Sequence, residues 1–61
     1  MNDTVLFSFS HTDNLMKDSD ISFADRAEFL KSNVDLIHNN KAYYKAIDVN
    51  NYINSTKKGL N

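Results

Sequence analysis

The sequence lacks several residues on which small proteins often depend. It has no cysteine, no proline and no tryptophan, and only one glycine among 61 residues. The absence of cysteine excludes disulfide bonds and thiolate-bound zinc, and one glycine cannot form a phosphate-binding loop. In a chain this short, apolar burial gains about as much free energy as ordering the chain costs. We therefore expect self-association to enlarge the core.

Charge and hydrophobicity show little bias toward one kind of partner. Seven basic and eight acidic residues are interspersed and give a net charge of −1. No apolar run is longer than three residues, and the N-terminus lacks the continuous apolar segment of a secretory signal. We therefore expect a cytoplasmic protein without a membrane partner. Nucleic acid is a less favoured partner than protein, because the chain has no basic stretch.

The clearest pattern is an amphipathic helix predicted over residues 22–38. Ser22 is a suitable N-cap, and the Asp25 carboxylate lies where it can bond back to that cap. Phe29 and Leu36 form a second apolar row beside the main one, so the helix needs two packing partners. The main row has a four-three spacing at about 100° per residue and contains Phe23, Ala27, Leu30, Val34 and Ile37.

The segments on either side of this helix have weaker patterns. Residues 4–10 alternate as a strand does, and this strand could pair with its copy in a second chain, pair with a partner, or pack on the helices as an extended arm. Asn39 and Asn40 are expected to form a tight turn, followed by a second helix over residues 41–58. One continuous helix through residue 56 is the alternative. The second helix would carry Ala42, Ala46, Val49 and Ile53 on one line.

The predicted fold is therefore mainly α. A single small domain, residues 1–61, would contain an arm and turn-rich segment (1–20), a first helix (22–38) and a second helix (41–58). The two helices would form an antiparallel hairpin preceded by a short extended or β arm. Dimerisation would complete its core.

Residues able to carry chemistry are present, but not in the patterns that catalysis or metal binding requires. Asp18 begins a segment like a calcium loop, yet the positions that need glycine and glutamate are both phenylalanine. His11 and His38 lack the spacing of a zinc site. Ser8, His11 and Asp13 are triad residue types, but they lie too close in the chain for a scaffold to orient them. We expect no enzymatic activity, metal, cofactor or small-molecule partner.

The order of one strand and two helices resembles that of the ribbon-helix-helix repressors, in which strands of two chains pair and lie in the major groove. The strand would be residues 5–10. The resemblance implies a dimeric DNA-binding transcriptional regulator, with Lys17, Arg26 and Lys31 as phosphate contacts. The strand itself offers no arginine or lysine to the bases. A DNA-binding regulator is therefore the alternative function and not the preferred one.

The preferred function is a small non-catalytic protein-interaction module. Such a module would act as an adaptor, inhibitor or regulator and would bind a protein partner or a second copy as a homodimer. Its interface would combine Phe7 and Phe9 of the arm with Phe29 and Leu36 of the first helix, because buried aromatic residues carry much of the energy of interfaces. Codons for the abundant asparagine and lysine are AT-rich, which is compatible with a phage or an AT-rich bacterial source.

Overall fold

The computed structural model describes residues 5–59, and in that range it has three helices and a three-stranded antiparallel sheet. The first four residues of the predicted arm, and Leu60 and Asn61, lie outside the described residues. In chain order the elements are β1 (Leu6–Ser8), α1 (Phe9–Asp18), α2 (Phe23–Ser32), β2 (Leu36–His38), β3 (Lys41–Lys45) and α3 (Ala46–Gly59).

The fold is α+β, so the prediction of a mainly α two-helix hairpin is wrong. The predicted first helix, 22–38, ends at Ser32, and its last three residues form β2. The predicted second helix, 41–58, begins instead as β3. Asn39 and Asn40 do form a tight turn, but both have positive φ angles, 53° and 62°. Two such residues make a turn whose twist suits a β-hairpin, so this turn joins two strands.

The N-terminal strand finds its partner within the chain. β1 pairs antiparallel with β3, with Leu6 opposite Lys45 and Phe7 opposite Tyr44. β2 pairs with the other edge of β3, so the strand order is β1-β3-β2. β1 is therefore an edge strand whose inner edge is paired within the chain, rather than with a second copy or a partner.

The segment predicted to be turn-rich contains the helix α1. Ser8 caps its N-terminus, since the Ser8 hydroxyl accepts a bond from the His11 N–H at 3.1 Å. The hydroxyl of Thr12 donates to the Ser8 carbonyl at 2.8 Å, and Thr12 is fully buried. Met16, one turn later, is also fully buried. The polar side chains of this segment therefore cap the helix or form hydrogen bonds inside the protein.

The core lies between the three helices and one face of the sheet. Tyr44 is at its centre with no exposed surface, and the Tyr44 hydroxyl donates to the Leu30 carbonyl at 2.6 Å. This bond joins β3 to the last turn of α2. The core residues are Met16, Ile21, Phe29, Leu30, Tyr44 and Val49.

Candidate functional site

A four-residue turn, residues 19–22, joins α1 to α2 and is closely bonded. The Ile21 N–H donates to the Met16 carbonyl at 3.2 Å, and the Asp20 N–H donates to the Lys17 carbonyl at 3.0 Å. Asp20 has a φ of 62°. These features define a Schellman motif, with an aspartate at the position where glycine is usual. The result is a helix-turn-helix unit, residues 9–32, with the buried side chain of Ile21 in its turn.

Arg26 ties the two helices and the turn together. Its Nε donates to the Asp13 carboxylate on α1 at 2.8 Å, and its Nη1 donates to the Ile21 carbonyl in the turn at 2.8 Å. Its guanidinium carbon also lies 5.8 Å from the centre of the Phe23 ring. The side chain is only 14% exposed. Arg26 was predicted to contact phosphate, but here it is engaged by the protein itself.

One face of α2 points away from the rest of the protein. Ala24, Ala27, Glu28 and Lys31 are all exposed and fall within an arc of about 100° on the helix. We call these four residues the outward face of α2. Two of them are alanine, so a partner could approach the helix backbone closely. Its two charges have opposite signs.

The α2–α3 groove lies on one side of this face and is acidic. Asp25, Glu28 and Asp48 contribute to its walls, and its volume is about 480 Å³. Its floor is the ring of Phe29, stacked on the ring of Tyr52 with centroids 4.8 Å apart. Burial raises the pKa of Tyr52, and the negative charge of Asp25 raises it further. Among the described residues, no group of three or more histidines and carboxylates could hold a metal ion.

The α1–α2 groove lies on the other side and is apolar, with a volume of about 340 Å³. Its most prominent side chains are Phe23 and Phe9, which are 77% and 49% exposed. The buried side chain of Leu30 also lines it. The groove is lined by Phe9 and Asp13 of α1 and by Phe23, Arg26, Ala27, Leu30 and Lys31 of α2.

The face of the sheet turned away from the helices carries positive charge. Lys41, Tyr43 and Lys45 alternate along β3 on that face, because Tyr44 points into the core. His38 lies opposite Lys41, and Leu36 lies opposite Tyr43. We call these five residues the outer sheet face. Lys45 also forms a long, exposed ion pair with Asp35 at 3.7 Å, which is too exposed to add much stability.

The four predicted interface residues do not form one surface. Phe29 is 6% exposed and belongs to the core. Phe7 is half-buried and meets His11 edge-to-face at 4.7 Å. Phe9 lies in the α1–α2 groove, and Leu36 is on the outer sheet face, 45% exposed. Only Phe9 and Leu36 therefore offer substantial apolar surface to a partner.

The remaining predicted phosphate contacts, Lys17 and Lys31, are both exposed. Two exposed features were not predicted from the sequence. Phe23 was expected in the main apolar row but is 77% exposed, and the lysines of β3 were expected on a helix. The alternation of Lys41, Tyr43 and Lys45 with Ala42 and Tyr44 is the signal that could have revealed the strand.

No protein-family model, curated protein or solved structure matches this chain. Within residues 5–59, no helix is both long enough and apolar enough to cross a membrane. Function must therefore be inferred from the geometry and chemistry of the residues themselves.

Proposed function

We propose that this chain is a DNA-binding module in which α2 enters the major groove and the β2–β3 hairpin contacts the adjacent backbone. The observation that carries the proposal is the helix-turn-helix unit: two ten-residue helices joined by four residues. In DNA-binding proteins with this arrangement, the second helix reads base edges and the first crosses the phosphate backbone. This docking mode differs from the paired ribbon that the resemblance implied, since β1 is here the edge strand of a sheet formed within the chain.

The outward face of α2 has side chains suited to base contacts. Ala24 and Ala27 are small enough to let the helix lie deep in the groove, and an alanine methyl packs well on the methyl group of thymine. Glu28 could accept a bond from the amino group of cytosine. Lys31, one turn further along, could bond to guanine or to a phosphate.

The hairpin would supply the backbone contacts. It follows α2 after three residues, and every residue from 31 to 40 is exposed. Lys41 and His38 lie side by side next to the hairpin turn. Lys41 also lines a cleft with Ser8 and Ser10 at the start of α1. A phosphate on the strand that passes α1 could reach these donors.

The charge distribution predicts that phosphate contacts are few. The net charge is −1, and the α2–α3 groove would repel a DNA backbone placed beside it. With about three cations neutralising phosphates, the logarithm of the binding constant should fall with the logarithm of salt concentration with a slope of about −3. A protein with a long basic surface would have a much steeper slope.

The test is selection of bound sites from a pool of random duplex DNA, followed by fluorescence anisotropy on the enriched sequence. We expect Lys31→Ala and Lys41→Ala to weaken binding and to reduce the salt slope by about 1 each. Lys57→Ala, on an exposed position of α3, is the control and should change little. If no sequence is enriched, and all three variants bind the pool as the parent does, α2 and the hairpin do not bind DNA.

A protein-interaction module is the second candidate function. It is favoured by large apolar side chains that the described fold leaves exposed. A protein of this size gains by covering such groups in a complex. Sedimentation of the purified chain, alone and with captured partners, tests this function. The exposed side chains are Val5, Phe9, Phe23, Val34, Leu36, Ile37 and Ile47.

A further inference from the structure

The α1–α2 groove has the shape of a small binding site. The exposed rings of Phe9 and Phe23 lie on separate helices, and the buried side chain of Leu30 lines the space with them. Its volume of about 340 Å³ is near the lower end of the range for ligand pockets. The groove could therefore receive one or two side chains of a partner, but not a whole helix.

The charges of the groove lining determine which charge a bound segment should carry. Asp13 is the only carboxylate among the described residues of the lining, and it is already paired with Arg26 at 2.8 Å. Lys31 takes part in neither of the two ion pairs found within residues 5–59. The lining therefore has one net positive charge, while the groove on the opposite side of α2 carries three carboxylates. An acidic occupant would be attracted to the apolar groove and repelled from the other.

We infer that the α1–α2 groove binds an acidic, amphipathic segment of another protein. An aromatic or aliphatic side chain of that segment would insert between Phe9 and Phe23, and a neighbouring carboxylate would pair with Lys31. This inference builds on the second candidate function and assigns its surface and the chemistry of its partner. It does not depend on DNA binding.

The probe is a fluorescein-labelled synthetic peptide of about 15 residues, with leucine and phenylalanine at helical spacing and glutamate between them. Matched peptides carry glutamine or lysine in place of glutamate. We expect the folded protein to bind the glutamate peptide about tenfold more tightly than the glutamine peptide, and the lysine peptide most weakly. Binding is measured by fluorescence anisotropy at about 0.1 M salt.

Two variants test the two parts of the groove. Phe23→Ser should weaken binding of all three peptides by about tenfold or more, because it removes one apolar wall. Lys31→Glu should remove the preference for the glutamate peptide and favour the lysine peptide. The matched controls are Ile37→Ser, an exposed apolar residue on the hairpin, and Lys57→Glu, an exposed lysine on α3. Neither lines the groove, and neither should change the order of affinities. Circular dichroism checks that each variant is folded.

Four results would overturn the inference. The protein could bind no peptide, or bind all three with equal affinity in the parent and in Phe23→Ser. Alternatively, the chain could self-associate and become monomeric with Phe23→Ser, which would make a second copy the occupant. If peptide binding is indifferent to groove variants while partners are still captured through Leu36 or Ile37, the groove assignment fails and the protein-interaction function remains.

Discussion

The helix-turn-helix unit and the β2–β3 hairpin are held in place by different means. In the helix-turn-helix unit, Arg26 bonds to both the first helix and the turn, and Ile21 is buried between the helices. In the hairpin, residues 36–45, Tyr44 is the only fully buried side chain. The first region is therefore fixed by several independent contacts, whereas the hairpin is held by the buried Tyr44, the half-buried Ala42 and the pairing of β3 with β1.

Tyr44→Ala should give the largest loss of stability. Truncating a buried aromatic residue costs about 3–5 kcal/mol, and a chain of this length has a total stability of about 3–9 kcal/mol at 0.05–0.15 kcal/mol per residue. Tyr43→Ala is the matched control, since Tyr43 is the neighbouring tyrosine on the opposite, half-exposed face of β3. Urea denaturation followed by circular dichroism gives both values. Equal losses for the two variants would contradict the strand and its register.

Arg26→Ala should give the next largest effect, about 1.5–3 kcal/mol, because it leaves the Asp13 carboxylate without its charged partner. Lys31→Ala removes a cation from the same helix without breaking an ion pair among the described residues, so it should cost less than about 0.5 kcal/mol. Thermal denaturation compares the two. A double variant that also changes Asp13 to Ala should recover part of the loss; if it does not, the pair does not hold the helices together.

Asn40→Ala should destabilise the hairpin by about 1 kcal/mol, since alanine tolerates the left-handed conformation poorly. Asn40→Gly is the matched variant and should be at least as stable as the parent, because glycine adopts this conformation freely. Chemical denaturation measures the difference. If both variants lose the same stability, the asparagine side chain, rather than its backbone angle, matters at this turn.

High pH should produce the smallest of these effects. Burial raises the pKa of Tyr44, and burial together with the charge of Asp25 raises that of Tyr52. The unfolded chain therefore releases these protons first, near pH 10.0, and stability is full below that pH and falls as pH rises through the folded-state pKa values. Tyr52→Phe should weaken this alkaline loss, as measured by denaturation between pH 8 and about pH 11. An unchanged pH profile would remove Tyr52 as a source of the effect.

Local signals in the sequence predicted some features correctly. The predicted N-cap at Ser22 is confirmed, since its hydroxyl accepts a bond from the Asp25 N–H at 3.2 Å. Past Ser32, however, Val34 and Ile37 continue the helical spacing although the chain leaves the helix. A window of only a few residues cannot distinguish a helix from a strand when both periods fit. The left-handed conformation of Asn39 favours a hairpin turn at this point.

The candidate site was harder to predict than the start of α2. The bond from Arg26 to Asp13 joins residues thirteen positions apart, and no local pattern reveals which charged residues will pair. This bond lies beside Phe23, which is left 77% exposed although its spacing placed it in the apolar row. The pairing of β1 with β3 is likewise non-local. Periodicity reports which residues share a face of a helix, but not which face the rest of the chain will cover.

The strand order also delays the pairing of β1 while the chain is being synthesised. Leu6 pairs with Lys45, 39 positions later in the chain, so β1 has no partner until most of the protein has been made. At translation rates of about 5–20 residues per second, that delay is about 2–8 s. The two helices and the hairpin make local contacts and can form within microseconds once their residues are free. Until β3 is available, Leu6 and Phe7 lack their strand partner, and in that state the chain is most open to aggregation or to binding by a chaperone.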